Sequence, residues 1–414
     1  MARTPRQRGR LLLFLGVLGP GIVAASAGND PGGISTYSVA GARYGYMLLW
    51  ALLAMTPSFV FVQEMAGRMG AVTGKGFAGL IREKFGMRPS FFAMACLLSS
   101  TAATSVAEFA GIAAAMQLFG VSKYVAVPVA AAVVWLLVVR GSYRSVEKVL
   151  LAMSTVFVAY VVAAFLAGPD WGQVLRGLTV PRVVPSTEFV TIAIGMTGTT
   201  IAPWMQFLLQ SNIVDKGISI KEWRIARLDV IVGAISANIV AAFIIVTTAT
   251  VLHPAGITVT DAGQAARALT PLAGQYATLL FSLGFLSAAV LSAAVLPLTA
   301  AYAVCEAFGL EAGLDRAWSE APVFNWLYTL LILFGAAFIL IPGLHLITVL
   351  ILSQVVNGIL LPFLLFFMIR IVNDRRIMGR HVNGPVYNVL SWATIVVVVS
   401  LTAVLLGMTA LGVG

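Results

Sequence analysis

The stretch "AGNDPGGIST" (residues 27–36) places a carboxylate, a proline and several glycines inside the first long apolar run of the chain. In hydrocarbon, a helix broken in this way leaves backbone carbonyls without donors. Each such group costs several kcal/mol unless something else satisfies it. A second interruption, "GTTIAPW" (198–204), cuts another long apolar run much later in the chain.

The surroundings are strongly apolar. Of 414 residues, 60% are hydrophobic and only 10% are charged. Apolar runs of about 18 residues or more recur from end to end, the pattern of an all-α polytopic membrane protein. Their length excludes an outer-membrane barrel, whose strands alternate with a short period. We read about eleven spanning segments, over 11–43, 46–68, 91–118, 124–140, 147–168, 188–213, 227–252, 274–306, 323–342, 344–371 and 387–411. The stretch 71–85 is too polar to span and reads as a short interfacial helix. The net charge of +10 sits mostly in short connections. It therefore reads as a topology signal and not as a nucleic-acid footprint. Arg3, Arg6, Arg8 and Arg10 precede the first segment, and Lys75, Arg82, Lys84 and Arg88 follow the second. Further cations follow the fourth, sixth and tenth segments, and the connections between are cation-poor. The expected protein is integral to the plasma (inner) membrane, with a cytoplasmic tail over 1–10 and its C-terminus outside. The acidic connection 309–321 departs from this alternation, but acidic residues carry little weight in the rule. No small-residue cleavage site follows the basic start, so the tail reads as retained. Two cysteines, Cys96 and Cys305, imply no disulfide framework. No Walker loop is present, so no nucleotide is expected to drive anything, and neither a cofactor nor an obligate protein partner is implied.

Pro31 and Pro203 are separated by five segments and their loops. Matched breaks in two halves of odd helix number are the signature of an inverted-repeat secondary transporter, with its site at the midplane where the breaks meet. The expected repeats span 11–168 and 188–371, with 387–411 as an additional helix. A cation can take the freed carbonyls as ligands, C-terminal half-helix ends carry partial negative charge, and Asp30 adds a full charge. Carboxylates within spans are functional candidates. Asp30 leads, Glu108 lies well inside segment three, and Glu64 has Arg68 four residues on, which reads as a helix-face ion pair. Gln206 follows the second break, and Gln354 and Asn357 share one face of segment ten. Asn238 reads equally as interhelical glue. All three histidines, His253, His345 and His381, fall in loops or at helix ends, so no imidazole-rich metal site or buried proton shuttle is expected.

These residues resemble the Nramp divalent-metal transporters (natural resistance-associated macrophage proteins). The likeness runs from about residue 15 to residue 370 through "GPGIVAASAGNDPGG", "VQEMAGRMGAVTGKGFAGLIREKFG", "VAEFAGIAAAMQLFG", "TIAPWMQFLLQS" and "LSQVVNGILLPF". The resemblance implies a LeuT-like fold of two inverted five-helix repeats plus an eleventh helix, with helices one and six broken. It also implies a metal held by Asp30 and the carbonyls of Ala27 and Thr199, with Gln354 and Asn357 around its water shell. The departures narrow the expectation. Where the family reads D-P-G-N, the Asn position is Gly33, and where it reads M-P-H, this chain has Ala202 and Trp204. Ser105 stands where the family places an Asp on its proton route, while Glu108 remains. Such changes are similar to those of the Nramp-related magnesium transporters.

Chemistry points the same way. A thioether favours manganese and iron, and its loss leaves oxygen donors. Gly33 and Ala202 empty volume beside the ion, which suits Mg²⁺, a cation that sheds water reluctantly. The expectation is uptake of partly hydrated Mg²⁺, with Mn²⁺ also accommodated, without proton coupling. The alternatives are a proton-coupled Mn²⁺/Fe²⁺ importer and, less favoured, an aluminium carrier. An amino-acid carrier would have Asp30 repelling its substrate carboxylate. An intramembrane enzyme would need paired aspartates or a Ser–His couple, and the spans provide neither.

Overall fold

The computed structural model describes residues 29–139, 159–313, 316 and 318–411. The tail, the first part of the first expected segment with Ala27, and most of the fifth segment lie outside the described residues.

Among the described residues the chain is helical throughout. Its first element, α1 (Pro31–Tyr44), starts at a proline, whose fixed φ and missing N–H suit the first helical position. Asp30 is its N-cap, extended at φ −70°, ψ 167°, and its Oδ1 accepts the Gly33 N–H at 2.6 Å. The break is therefore narrower than the sequence implies, because Gly32 and Gly33 are already helical. Next come α2 (Leu49–Thr73), α3 (Phe77–Phe85), α4 (Met87–Gln117) and α5 (Lys123–Val139). Residues 71–73 belong to α2, which ends at Gly74 in the left-handed region, so the short helix expected over 71–85 is confined to α3. Past the undescribed stretch lie α6 (Ala159–Ala167) and α7 (Trp171–Thr179).

The second broken segment is two helices, α8 (Thr187–Thr200) and α9 (Pro203–Asp215). Only Ile201 and Ala202 separate them, and proline again opens the second piece. The remaining long elements are α10 (Trp223–Val251), α11 (Ala277–Phe308), α12 (Pro322–Ile339), α13 (Leu346–Val372) and α14 (Pro385–Ala410). Among the described residues, eight helical stretches are long and apolar enough to cross a membrane, and α5 is just shorter.

The interior is built around α4, which packs along α11, α13 and α12, and around the α8–α13 and α1–α10 pairs. Small residues set the spacing. A Cβ on Gly198 would fall 1.9 Å from the Gln354 carbonyl oxygen and 2.4 Å from the Gly358 N. A Cβ on Gly358 would fall 2.6 Å from the Ile194 carbonyl. Thus α8 and α13 touch backbone to backbone just before the second break. A Cβ on Gly111 would meet the Pro31 ring at 2.5 Å, which seats α4 on the first break. Asn238 of α10 donates to Thr56 of α2 at 2.9 Å, an interhelical tie. By contrast, most of α14 faces outward.

Candidate metal site at the helix breaks

The two breaks meet in the protein interior. Asp30 is 2% exposed, and Trp204, Gln354, Asn357 and Glu108 are fully enclosed. Tyr37, two turns along α1 from Asp30, bonds Thr200, the last residue of α8, at 2.9 Å. Thr200 commits its one hydroxyl hydrogen to the Met196 carbonyl at 2.7 Å, so Tyr37 donates.

Both oxygens of Asp30 accept a hydrogen bond. Oδ1 holds the Gly33 N–H, and Oδ2 faces the side chain of Gln354, whose Nε2 donates to it at 3.1 Å. Gln354 in turn accepts at Oε1 from the Asn357 Nδ2 at 3.0 Å. Asn357 does not reach Asp30 directly among the described contacts. Its Nδ2 also donates to Thr104 Oγ1 at 3.0 Å, and its Oδ1 accepts from Ser100 Oγ at 2.6 Å. Sequence reasoning missed Ser100 and Thr104. Their signal is the spacing of Ser100, Thr104 and Glu108, four residues apart on one face of an apolar helix.

Backbone oxygen is available at the second break by a simple count. The helical donor for the Thr199 carbonyl would be residue 203, which is a proline without an N–H. Ala27 stands in the same relation to Pro31 in the sequence, outside the described residues. Gly33 and Ala202, the two positions emptied relative to the family pattern, are buried beside the breaks. Trp204 Nε1 and both amide atoms of Gln206, one turn into α9, are buried without a protein partner. The Glu108 carboxyl interacts with Asp30 but makes no hydrogen bond of good geometry. The Ser105 backbone lies against Gly335 of α12, and its hydroxyl is buried without a protein hydrogen bond. That helix carries no Asp, Glu, Lys, Arg or His. Among the described residues, no group of three or more His, Cys, Asp or Glu could cage a metal.

Glu64 lies apart, in the ion pair its spacing implies. Its Oε2 is 3.3 Å from Arg68 Nε and its Oε1 3.4 Å from Arg227 Nε of α10. Arg68 also donates to the His381 carbonyl at 2.6 Å and to Asn383 Oδ1 at 2.5 Å, and Arg227 donates to the Tyr387 hydroxyl at 2.8 Å. Together these bonds tie α2 and α10 to the approach of α14.

This arrangement is a known fold. The chain superposes on a manganese transporter of Eremococcus coleocola with a TM-score of 0.76 at 22% identity, covering 99% of this chain and 88% of that one. It also superposes on MhsT in complex with L-phenylalanine, with a TM-score of 0.62 at 16% identity and coverage of 93% and 97%. The fold is LeuT-like.

The sequence comparisons are more specific. The model of the "Natural resistance-associated macrophage protein-like" family matches residues 21–407. "Divalent metal cation transporter MntH" of Deinococcus radiodurans is 31% identical over 97% of this chain and 91% of its own length. The protein of the same description from Bacillus subtilis (strain 168) is 28% identical, with coverage of 98% and 97%. The chain belongs to the Nramp family.

Proposed function

We propose that this protein transports divalent metal cations across the plasma (inner) membrane and is not an enzyme. Its preferred cargo is partly hydrated Mg²⁺, with Mn²⁺ also carried, and no proton moves with it. The observation that supports this most is the donor set at the breaks. One carboxylate oxygen of Asp30, the freed Thr199 carbonyl and the neighbouring amides are all hard ligands. Mg²⁺ binds through one or two carboxylates and retains waters, whereas a thioether at position 202 would favour softer ions. Gly33 and Ala202 leave room for the water shell, Gln354 lies within its reach, and Ala27, outside the described residues, is proposed as a carbonyl ligand through the proline four residues on. Gln206 and Trp204 present unpartnered polar atoms to the same interior. By the loop charges, the N-terminus is cytoplasmic and the C-terminus outside. The inverted repeats comprise 11–168 and 188–371, and 387–411 is additional.

The uncoupled mechanism rests on Ser105 and α12. Helix α12 packs on Ser105 and carries no Asp, Glu, Lys, Arg or His, and Trp204 cannot take up a proton. The membrane potential alone drives a divalent cation inward with about 4.6 kcal/mol per 100 mV, twice the single-charge value. That equals a concentration ratio on the order of 10³.

The test is flux into proteoliposomes containing a pH dye. Mg²⁺ uptake is expected to be saturable, to compete with Mn²⁺, and to leave the internal pH unchanged. Asp30→Ala should abolish it. Failure of millimolar Mg²⁺ either to move or to inhibit Mn²⁺ uptake removes the magnesium reading. Acidification in step with the metal restores proton coupling, and the function becomes that of an ordinary Mn²⁺/Fe²⁺ importer.

A further inference from the structure

The line of polar groups behind Asp30 has a defined polarity. Ser100 gives its hydroxyl hydrogen to Asn357 Oδ1, Asn357 gives Nδ2 to Gln354 Oε1, and Gln354 gives Nε2 to Asp30. Every donor in the line points toward the carboxylate. In this state the Gln354 amino group occupies the place at Asp30 Oδ2 where a cation would sit. A cation arriving there meets N–H groups, which repel it.

We infer that Ser100, Asn357 and Gln354 form a reversible amide relay that turns over when a divalent cation reaches Asp30. Ser100 and Asn357 act as positioning residues for Gln354. The turned arrangement follows from which groups can donate and accept. Gln354 rotates its Oε1 toward the ion and its water, and its Nε2 donates to Asn357 Oδ1. Asn357 rotates likewise and donates Nδ2 to Ser100 Oγ. Every partner is kept once the Thr104 hydroxyl, which accepts from Asn357 in the empty state, turns to donate to Asn357 Oδ1, and every amide donor now points away from the site. The relay needs a terminal group that both donates and accepts, and the serine hydroxyl does both. A fully connected buried polar chain of this kind has two satisfied states and penalises mixtures, because an acceptor facing an acceptor in a dry interior is costly.

Thr104 stands beside the relay in both states. Its hydroxyl lies 3.4 Å from the Asn357 atom that faces Ser100 and can donate to an oxygen there or accept from an amino group there. Loss of the Ser100 hydroxyl removes the terminal partner of both states, and cation affinity shifts by the difference between the two losses. Ser100 touches neither Asp30 nor the ion, so its effect must pass through Gln354.

This inference rests on cation binding at Asp30 and is indifferent to which divalent ion is carried. Its test is a double-mutant cycle in proteoliposomes with the full chain, read with Mg²⁺ and separately with Mn²⁺. Ser100→Ala is expected to shift KM about threefold to tenfold with little change in maximal rate, and by less than about 1.5-fold in the Gln354→Ala background. Ser100→Thr, which keeps the hydroxyl, should stay within about twofold of the parent. A cation-induced infrared difference spectrum should show the side-chain amide carbonyl bands shifting in the parent and losing that shift in Gln354→Ala. Equal effects of Ser100→Ala in both backgrounds, or a Ser100→Thr defect as large as that of Ser100→Ala, overturn the relay. Flux that survives Asp30→Ala overturns the site itself. Flux lost in Asp30→Ala with an additive cycle removes the relay alone.

Discussion

At the scale of single residues, the site is defined as much by missing atoms as by ligands. A Cβ on Gly32 would lie 2.0 Å from Gln354 Nε2, the flexible end of a side chain that can move aside. Gly32→Ala should therefore leave the protein folded, with a melting temperature within a few degrees of the parent, while pushing Gln354 off Asp30. We expect KM for Mg²⁺ to rise about tenfold, a shift of about 1.4 kcal/mol, in a flux assay. Ala202→Met adds a soft donor and fills volume beside the second break. Competition uptake should then move toward Mn²⁺ or Cd²⁺ over Mg²⁺, and an unchanged ratio would mean that selectivity lies elsewhere. Asp30 was legible because a carboxylate in an apolar run demands a reason. Ser100 and Thr104 were not, because hydroxyls in membrane helices usually bond their own backbone one turn back. Thr104 does that to the Ser100 carbonyl at 2.9 Å while also accepting from Asn357.

At the scale of elements, the backbone contact of α8 with α13 is the tightest constraint near the site. Unlike Gly32, Gly198 and Gly358 face backbone atoms that cannot rotate away. Gly198→Ala should cost at least about 1–3 kcal/mol by overpacking, read as a lower melting temperature in detergent, with Mg²⁺ transport falling in parallel. Most helices were legible to within a few residues, because apolar length marks them and prolines mark four of their starts. The width of the breaks was not legible. A sequence of small residues does not say where hydrogen bonding resumes, and here the Asp30 cap lets it resume at once. The helix α7 was also missed, since nine residues in a loop carry no spanning signal. It is amphipathic, with Trp171 and Leu175 exposed and Val174 buried, the pattern of a helix lying in a membrane interface.

At the scale of the whole molecule, two features bear on the proposed transport. The Glu64 cluster joins α2, α10 and the start of α14 at one end. Glu64→Ala leaves Arg68 without its carboxylate in a nearly buried place, at a cost of about 1–3 kcal/mol. Faster amide hydrogen exchange is expected at the adjoining ends of α2 and α10, and exchange identical to the parent would show that the cluster holds nothing shut. The second feature is how the site is divided. Asp30 and its cap belong to α1, whereas Gln354 and the Thr199 carbonyl belong to the body that α8 and α13 form by backbone contact. Any tilt of one against the other changes the 3.1 Å gap between Asp30 and Gln354. An ion that prefers one gap stabilises the posture that provides it, and nothing more is needed to couple binding to shape. On the proposed function the two act as the jaws of a gauge, for which a bare ion and an ion inside its waters are different settings, and an ion is accepted or refused according to which posture it holds open.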